Sequence, residues 1–220
     1  MVRYTCHTQI PIYQPDKALP SRKRNVLCVI FQQGGSGDTP QNRKLWRQYT
    51  MKKALLVIDM QNDYLYEKRK AKFSYDTENL VNSVNSLIEK YHGENSDVIY
   101  IRHIIQNLPT NRLLFGYSIA GTEGAEIYSG IKIVSEHCYD KLLGDALTNK
   151  KLLSMIKEKK YDVLHLCGLD ECGCVTSTAL GAAKRGIKAE IIQNGTATVF
   201  DEKKVANAHG KLKKADVKFI

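Results

Sequence analysis

The stretch Tyr161-Asp162-Val163-Leu164-His165-Leu166-Cys167-Gly168-Leu169-Asp170-Glu171-Cys172-Gly173-Cys174-Val175-Thr176-Ser177-Thr178-Ala179 decides how this chain folds. Its opening, Tyr161 to Gly168, is a short and mostly apolar run bounded by glycine, which reads as a strand buried in a sheet. From Val175 to Arg185 the composition turns helical, and Gly186 supplies a C-terminal stop. A cysteine at such a strand-to-helix turn meets the free N–H groups and positive dipole end of the helix, which favour thiolate over thiol. The stretch therefore predicts a βα unit with Cys174 as a nucleophile at its junction.

Working outward, Ala54-Leu55-Leu56-Val57-Ile58 is a continuous apolar run of the kind found in parallel strands covered on both faces, and it ends in Asp59. Leu80, Val81, Val84, Leu87, Ile88 and Tyr91 recur at helical spacing, after which Asp97 to Ile101 reads as a second strand. Residues 107 to 130 read mostly as loop. Ile131 to Ser135 are placed as the third strand, and Leu147 to Lys159 as a helix with Leu152, Leu153 and Ile156 inward. Beyond the quoted stretch follow a fifth strand at Ile187 to Gln193, a helix at Glu202 to Leu212 and a last short strand at Val217 to Ile220. This alternation argues for a parallel sheet with helices on both faces. Such sheets bind ligands beyond the C-terminal strand ends, where strand order reverses. Asp59 and Cys174 both follow such ends and are expected to meet.

Composition narrows the function classes. With 220 residues and 43% hydrophobic content, the chain can bury one sizeable core. No apolar run approaches the roughly 18 to 20 residues that span a bilayer, and the Val26 to Phe31 run is too short for a signal-peptide core, so no membrane association is expected. Six cysteines are few for this length and come without a secretory signal, which points to a reducing cytoplasm. Cys172 and Cys174 flank one glycine, but no second Cys/His pair lies at finger-like spacing, so no zinc is expected.

The net charge of +10 is unevenly spread. Residues 1 to 50 carry eight Lys/Arg against two acids, or +6, leaving 25 against 21, or +4, for residues 51 to 220. The first fifty also hold four of the five prolines and show no sustained period. They read as a basic, disordered N-terminal extension, or as upstream sequence ahead of a start at Met51, with a targeting peptide as the rival. Because the basicity resides there, nucleic-acid binding is not expected of the domain at 51 to 220.

Three motifs in order carry a family resemblance. Ala54 to Tyr64 (ALLVIDMQNDY), the loop Gly121 to Glu126, and the Gly-x5-Cys-Val-x2-Thr-Ala pattern from Gly168 to Ala179 together resemble the isochorismatase-like cysteine hydrolases, over nearly all of residues 52 to 200. The resemblance implies a three-layer α/β/α sandwich around a six-stranded, mostly parallel sheet. It implies a triad of aspartate, lysine and cysteine, and Asp59 and Cys174 match two of these positions. Relatives place the lysine after the third strand, ahead of a tyrosine, an aromatic pair, a glycine and a leucine. Tyr139, Leu142-Leu143, Gly144 and Leu147 keep that rhythm and put Glu136 where the lysine belongs. Lys141 is the nearest alternative ammonium, five residues later. The resemblance further implies an oxyanion site made by the backbone N–H groups of Cys174 and Asp170.

Residue chemistry supports the pairing independently. A thiol with reference pKa of about 8.5 needs a base, a cation or a helix N-terminus to attack at neutral pH. Asp59 can take its proton, and N–H groups of the 170 to 174 turn can stabilise the oxyanion formed at a carbonyl carbon. Glu136 would either share a proton with Asp59 or raise the thiol pKa. Taken alone, Glu136 and Lys141 read as surface charges, and Cys167 and Cys138 as small core residues.

Tyr64 is expected to line the pocket and His103 to touch substrate, with Gln61 counted at the substrate site and, with Asn62, as support for the loop. The stretch Tyr100 to Gln106 lacks the Asp-x-His pattern that holds a metal in nicotinamidases, so neither a metal nor another cofactor is expected. The resulting expectation is a cysteine-dependent hydrolase of a small-molecule amide, ureido or carbamoyl C–N bond, acting through a thioester and assembling as a homo-oligomer. A vinyl-ether hydrolase of isochorismatase type and a non-catalytic binding module are the alternatives.

Overall fold

The computed structural model describes residues 51–220. The expected N-terminal extension, residues 1 to 50, lies outside the described residues. Six strands, β1 (Lys53–Ile58), β2 (Asp97–His103), β3 (Cys138–Lys141), β4 (Val163–Gly168), β5 (Ala189–Thr196) and β6 (Lys218–Phe219), form one sheet in the order β3-β2-β1-β4-β5-β6. Every pairing is parallel. Strand order reverses between β1 and β4, whose registered ends are Ile58 and Gly168.

The continuous apolar runs of β1 and β4 are explained by two separate cores, one on each face. On one face Leu56, Ile58, Ile101, Leu164, Leu166 and Ile191 pack beneath α4 (Lys150–Lys159), α5 (Thr176–Lys184) and α6 (Glu202–Lys214). On the other, Leu55, Val57, Val98, Tyr100 and Cys167 meet Leu80, Val84, Ile88 and Tyr91 of α2 (Thr77–Gly93). This is the three-layer α/β/α sandwich, with each fully buried aliphatic side chain contributing about 1.5–3 kcal/mol of hydrophobic stabilisation. Side-chain caps start the longer helices: Asp76 accepts from Asn79 N–H, Asn149 from Lys151 and Leu152 N–H, and Asp201 from Lys204 N–H.

The third strand is not at Ile131 to Ser135. Ile131 is buried with the core of the α2 face and lies outside the sheet, while the strand itself is Cys138–Lys141, at the edge. Cys138 is correspondingly exposed rather than a core residue, whereas Cys167 is fully buried. The 107 to 130 segment, read as loop, contains the short helix α3 (Pro109–Leu114) and a single 3-10 turn at Glu123–Ala125. The helix α1 (Asn62–Leu65) is one turn long. None of the helices among the described residues is long and apolar enough to cross a membrane.

Candidate active site

Three parallel strand ends deliver the candidate catalytic residues to one point. Asp59 leaves β1 with φ of 54°, a left-handed conformation that aspartate tolerates better than most residues, and its N–H donates to Ile101 O at 2.9 Å. Lys141 is the last residue of β3 and registers with His103 of β2. At the end of β4, Gly168 has φ of +103°, and a Cβ there would overlap the Ile58 carbonyl oxygen, so glycine alone permits this close approach of β4 to β1. The chain then turns through a π-helical segment, Glu171–Val175, broken at Gly173 (φ −104°, ψ −107°), which presents Cys174 beneath the start of α5.

The three side chains converge on the Lys141 ammonium. Its Nζ donates to Asp59 Oδ2 at 2.8 Å and to Cys174 Sγ at 3.0 Å, and lies 3.2 Å from His103 Nδ1. The lysine side chain is 0% and the aspartate 4% exposed, so this ion pair is removed from water. Burial disfavours the ammonium, but the Asp59 carboxylate and the Cys174 sulfur outweigh it and hold Lys141 above the usual lysine range. Burial and Lys141 keep His103 below the usual imidazole range, against the pull of Asp59, so His103 is neutral and its Nδ1 can accept from Lys141.

Glu136 does not take part in this site. It is exposed and precedes β3, whereas the site lies where β3 ends. Five residues of extended chain cover roughly 16 Å, so Glu136 and Lys141 belong to opposite ends of the sheet. The lysine position after the third strand is therefore filled by Lys141, because the strand begins later than the apolar residues at 131 to 135 suggest.

The setting disfavours the Cys174 thiolate. Burial and the neighbouring Asp59 charge push its pKa up to about 12, and Lys141 only partly opposes them. A helix N-terminus contributes about 0.3–1 kcal/mol to a nearby anion, too little to reverse the cost of burying a thiolate beside a carboxylate. The helix end alone is therefore too weak to hold the sulfur as an anion, and the base that the sequence reading finds in Asp59 is needed. Asp59 is suited to that role: Oδ2 is held by Lys141, while Oδ1 is buried and has no hydrogen-bond partner.

Gln61 is not a substrate contact. It is fully buried, its Nε2 donates to His103 O at 3.0 Å and Ala125 O at 2.7 Å, and its Oε1 accepts from His103 N–H at 2.8 Å. It ties the end of β2 to the 121 to 126 loop, and Asn62 Nδ2 adds a bond to Glu123 O. These bonds bring the Gln61-Asn62 pair and that loop, far apart in sequence, into contact.

Tyr64 and His103 do line the cavity, of about 450 Å³, that opens over Cys174. Further walls come from Lys72, Phe73, Tyr75, Tyr117 and Phe200. Sequence reading missed these residues, since they sit in irregular segments with no period; the clustering of Phe73, Tyr75 and Tyr117 around one site emerges only in three dimensions. Tyr64 donates to or accepts from Ser118 Oγ at 2.7 Å and meets Phe73 edge-on at 4.8 Å.

Asp170, expected to supply a backbone donor, has a second function through its carboxylate. Oδ1 accepts from Cys172 N–H and Thr198 Oγ1, both at 2.9 Å, and Oδ2 from Tyr75 Oη at 3.0 Å and Val199 N–H at 3.1 Å. It anchors the cysteine turn to both flanking loops. The Asp170 N–H itself donates to no acceptor among the described residues.

Asp59, His103 and Cys174 offer donor atoms within 4.8 Å of one another, the right types for a metal ion. The Lys141 ammonium stands within 3.2 Å of all three, however, and places a positive charge among them. The set does not fit a cation while Lys141 remains charged.

Comparison with known proteins identifies the family. The family model for the isochorismatase domain matches residues 53–219. The chain belongs to the isochorismatase family. As an isochorismatase-family hydrolase it is 25% identical over 149 residues to the uncharacterized isochorismatase family protein YddQ of Bacillus subtilis strain 168, covering 67% of this chain and 79% of that protein. The fold is shared with the nicotinamidase/pyrazinamidase PncA from Bacillus subtilis (TM-score 0.66, 24% identity, 77% of this chain and 99% of that chain). It is shared equally with an N-carbamoylsarcosine amidase from Thermoplasma acidophilum (TM-score 0.64, 22% identity, 77% and 95%).

Proposed function

We propose that this isochorismatase-family hydrolase cleaves the C–N bond of a small amide, ureido or carbamoyl compound through a thioester on Cys174. The observation that carries the reading is the Asp59 carboxylate, with one oxygen fixed by Lys141 and the other buried and unpartnered beside the thiol. The folds shared with a nicotinamidase and a carbamoylsarcosine amidase are consistent with this bond type.

In this mechanism Asp59 removes the thiol proton as Sγ attacks the carbonyl carbon, and the oxyanion is received by the N–H groups of Asp170 and Cys174. Lys141 holds Asp59 Oδ2 in place for the attack and then balances the sulfur's developing charge. Collapse breaks the C–N bond, and the proton held by Asp59 passes to the departing amine. Water then attacks the thioester with Asp59 again as base, which releases the acid and restores the thiol. We place the reaction in a reducing compartment, with the protein as a homo-oligomer, a state that light scattering would measure.

The test is ammonia release from a panel of primary amides, ureido and N-carbamoyl compounds, with intact-mass detection of an acyl adduct on Cys174. Cys174→Ala is expected to abolish both. Turnover of a vinyl ether that survives Cys174→Ala would instead establish isochorismatase-type chemistry, and a chain that turns over nothing and forms no adduct would be a binding module.

A further inference from the structure

The catalytic reading leaves one charge in the cavity unexplained. Asp59 is paired with Lys141, and both carboxylate oxygens of Asp170 are filled by hydrogen bonds from the protein. Lys72 also lines the cavity, yet among the described residues it forms no ion pair with any carboxylate. Its Nζ is held instead against aromatic faces, 4.1 Å from the Tyr117 ring centre and 4.9 Å from that of Phe73. A second ammonium, Lys70, sits 5.8 Å from the same Tyr117 ring and donates to Phe115 O at 2.6 Å.

We propose that Lys72 receives an anionic group, a carboxylate, on the small molecule that occupies the cavity, at the end away from the carbonyl presented to Cys174. As a statement about the substrate this rests on the amide-hydrolase reading above; as a statement about binding it does not. The argument is one of charge and shape. An ammonium resting on ring faces has exchanged part of its water shell for weaker cation–π attraction, so a carboxylate arriving beside it gains more than it would at a fully hydrated lysine. Burial and the like charge of Lys70 hold the Lys72 ammonium below the usual lysine range, the direction expected of a cation that lacks a counter-ion. The rings of Phe73, Tyr75 and Tyr117, which line the same cavity as this cation and Cys174, suit a flat body. The cavity thus selects a small planar amide or ureido compound that bears a distal carboxylate.

The experiment compares 4-carbamoylbenzoate with the neutral, similarly shaped terephthalamide. Binding is measured by titration calorimetry on the full chain carrying Cys174→Ala, and ammonia release on the full chain with its cysteine. The anion is expected to bind about tenfold more tightly than the neutral diamide, as one partly desolvated charge pair allows. Lys72→Gln in the same background should remove that ratio, Lys72→Arg should keep it, and Lys72→Glu should reverse it. Because Lys72 is an exposed loop residue, these variants should fold as the parent does. Equal affinity for the two probes, no measurable binding of the anion, or a ratio unchanged by Lys72→Gln would overturn the assignment. Absence of ammonia release with the binding ratio intact would defeat the hydrolase reading and leave Lys72 as the anion site. Release from both probes with equal affinities would do the opposite.

Discussion

Lys141 Nζ donates to Asp59 Oδ2 at 2.8 Å with both side chains out of solvent. Breaking such a pair by removing one partner leaves a buried charge without compensation, at a cost of about 3–5 kcal/mol. Lys141→Met is therefore expected to lower stability by that amount in urea unfolding and to cut hydrolysis by about 10²–10⁴-fold, the range of an assisted proton transfer. The double variant Asp59→Asn, Lys141→Met should recover much of the stability and none of the activity. Glu136→Ala and Glu136→Lys, at an exposed position before β3, should stay within about twofold of the parent, since surface substitutions away from a site rarely exceed ±0.5 kcal/mol. Loss of activity in the Glu136 variants with retention in Lys141→Met would reject this assignment of the third residue.

The contrast between these two positions shows what was legible before the structure. β1 and β4 are covered on both faces, so their sequences are continuous apolar runs, and Asp59 and Cys174 could be placed at strand ends directly. β3 is a four-residue edge strand, Cys138-Tyr139-Asp140-Lys141, half exposed and carrying two charges, so neither hydrophobic run nor strict alternation marks it. Of the apolar residues just before it, Ile131 and Val134 owe their character to packing with the α2-face core rather than to the sheet, and Ile133 is exposed. That shift of one short element moved the lysine position by five residues. Gln61 and the Asp170 carboxylate were illegible for a different reason: their partners lie 42 and 64 residues away for Gln61, and 28, 29 and 95 away for three of the four to Asp170.

The charge of Asp59 raises the Cys174 pKa, which gives a prediction with an unusual sign. In Asp59→Asn the opposing charge is gone while Lys141 remains, so the thiol should ionise more readily. Iodoacetamide labelling of Cys174 at pH 7 should then be faster than in the parent, although hydrolysis falls for want of a base. In the parent, labelling should climb steadily with pH from 7 to 10 rather than level off near neutrality, because the thiol titrates far above it. Slower labelling of Asp59→Asn at pH 7 would show that the carboxylate promotes the resting thiolate instead.

Asp170 binds the cysteine turn to the loops carrying Tyr75 and Val199 through four accepted hydrogen bonds. In Asp170→Asn the amide nitrogen must face two of these donors, so at least one side of the anchor is lost at about 1–3 kcal/mol. A displacement near 1 Å at the nucleophile can cost about 10²-fold. The expected signature is a fall in kcat larger than the rise in KM, together with altered Cys174 labelling. A variant that raised KM alone would mark Asp170 as a substrate contact rather than a positioning residue.

Away from the site, His165 of β4 lies under α2, with its Nδ1 hydrogen-bonded to Tyr91 Oη. Its Nε2 is 3.2 Å from Glu190 Oε2, close enough for charge attraction but without hydrogen-bond alignment. Burial keeps the imidazole below its usual range, and the Glu190 carboxylate offsets this only in part. The unfolded chain therefore takes up this proton first as the pH falls. The stability His165 contributes is complete above its unfolded pKa of about 6.5 and is lost as the pH drops through that value toward the folded one. Glu190 acts in a lower window: burial works against its charge, but Lys188 and His165 outweigh it, so its contribution persists until the pH falls below the usual carboxylate range of about 4.3. His103 is also held low by burial and by Lys141, and shares the first window. Comparing parent and His165→Gln isolates the share of His165, because His103 is common to both. Thermal melts between pH 7.5 and 5.5 should show the parent losing stability on acidification and the variant, though less stable at pH 7.5, losing less. A slope unchanged by the substitution would mean that His165 is protonated equally in the folded and unfolded chains.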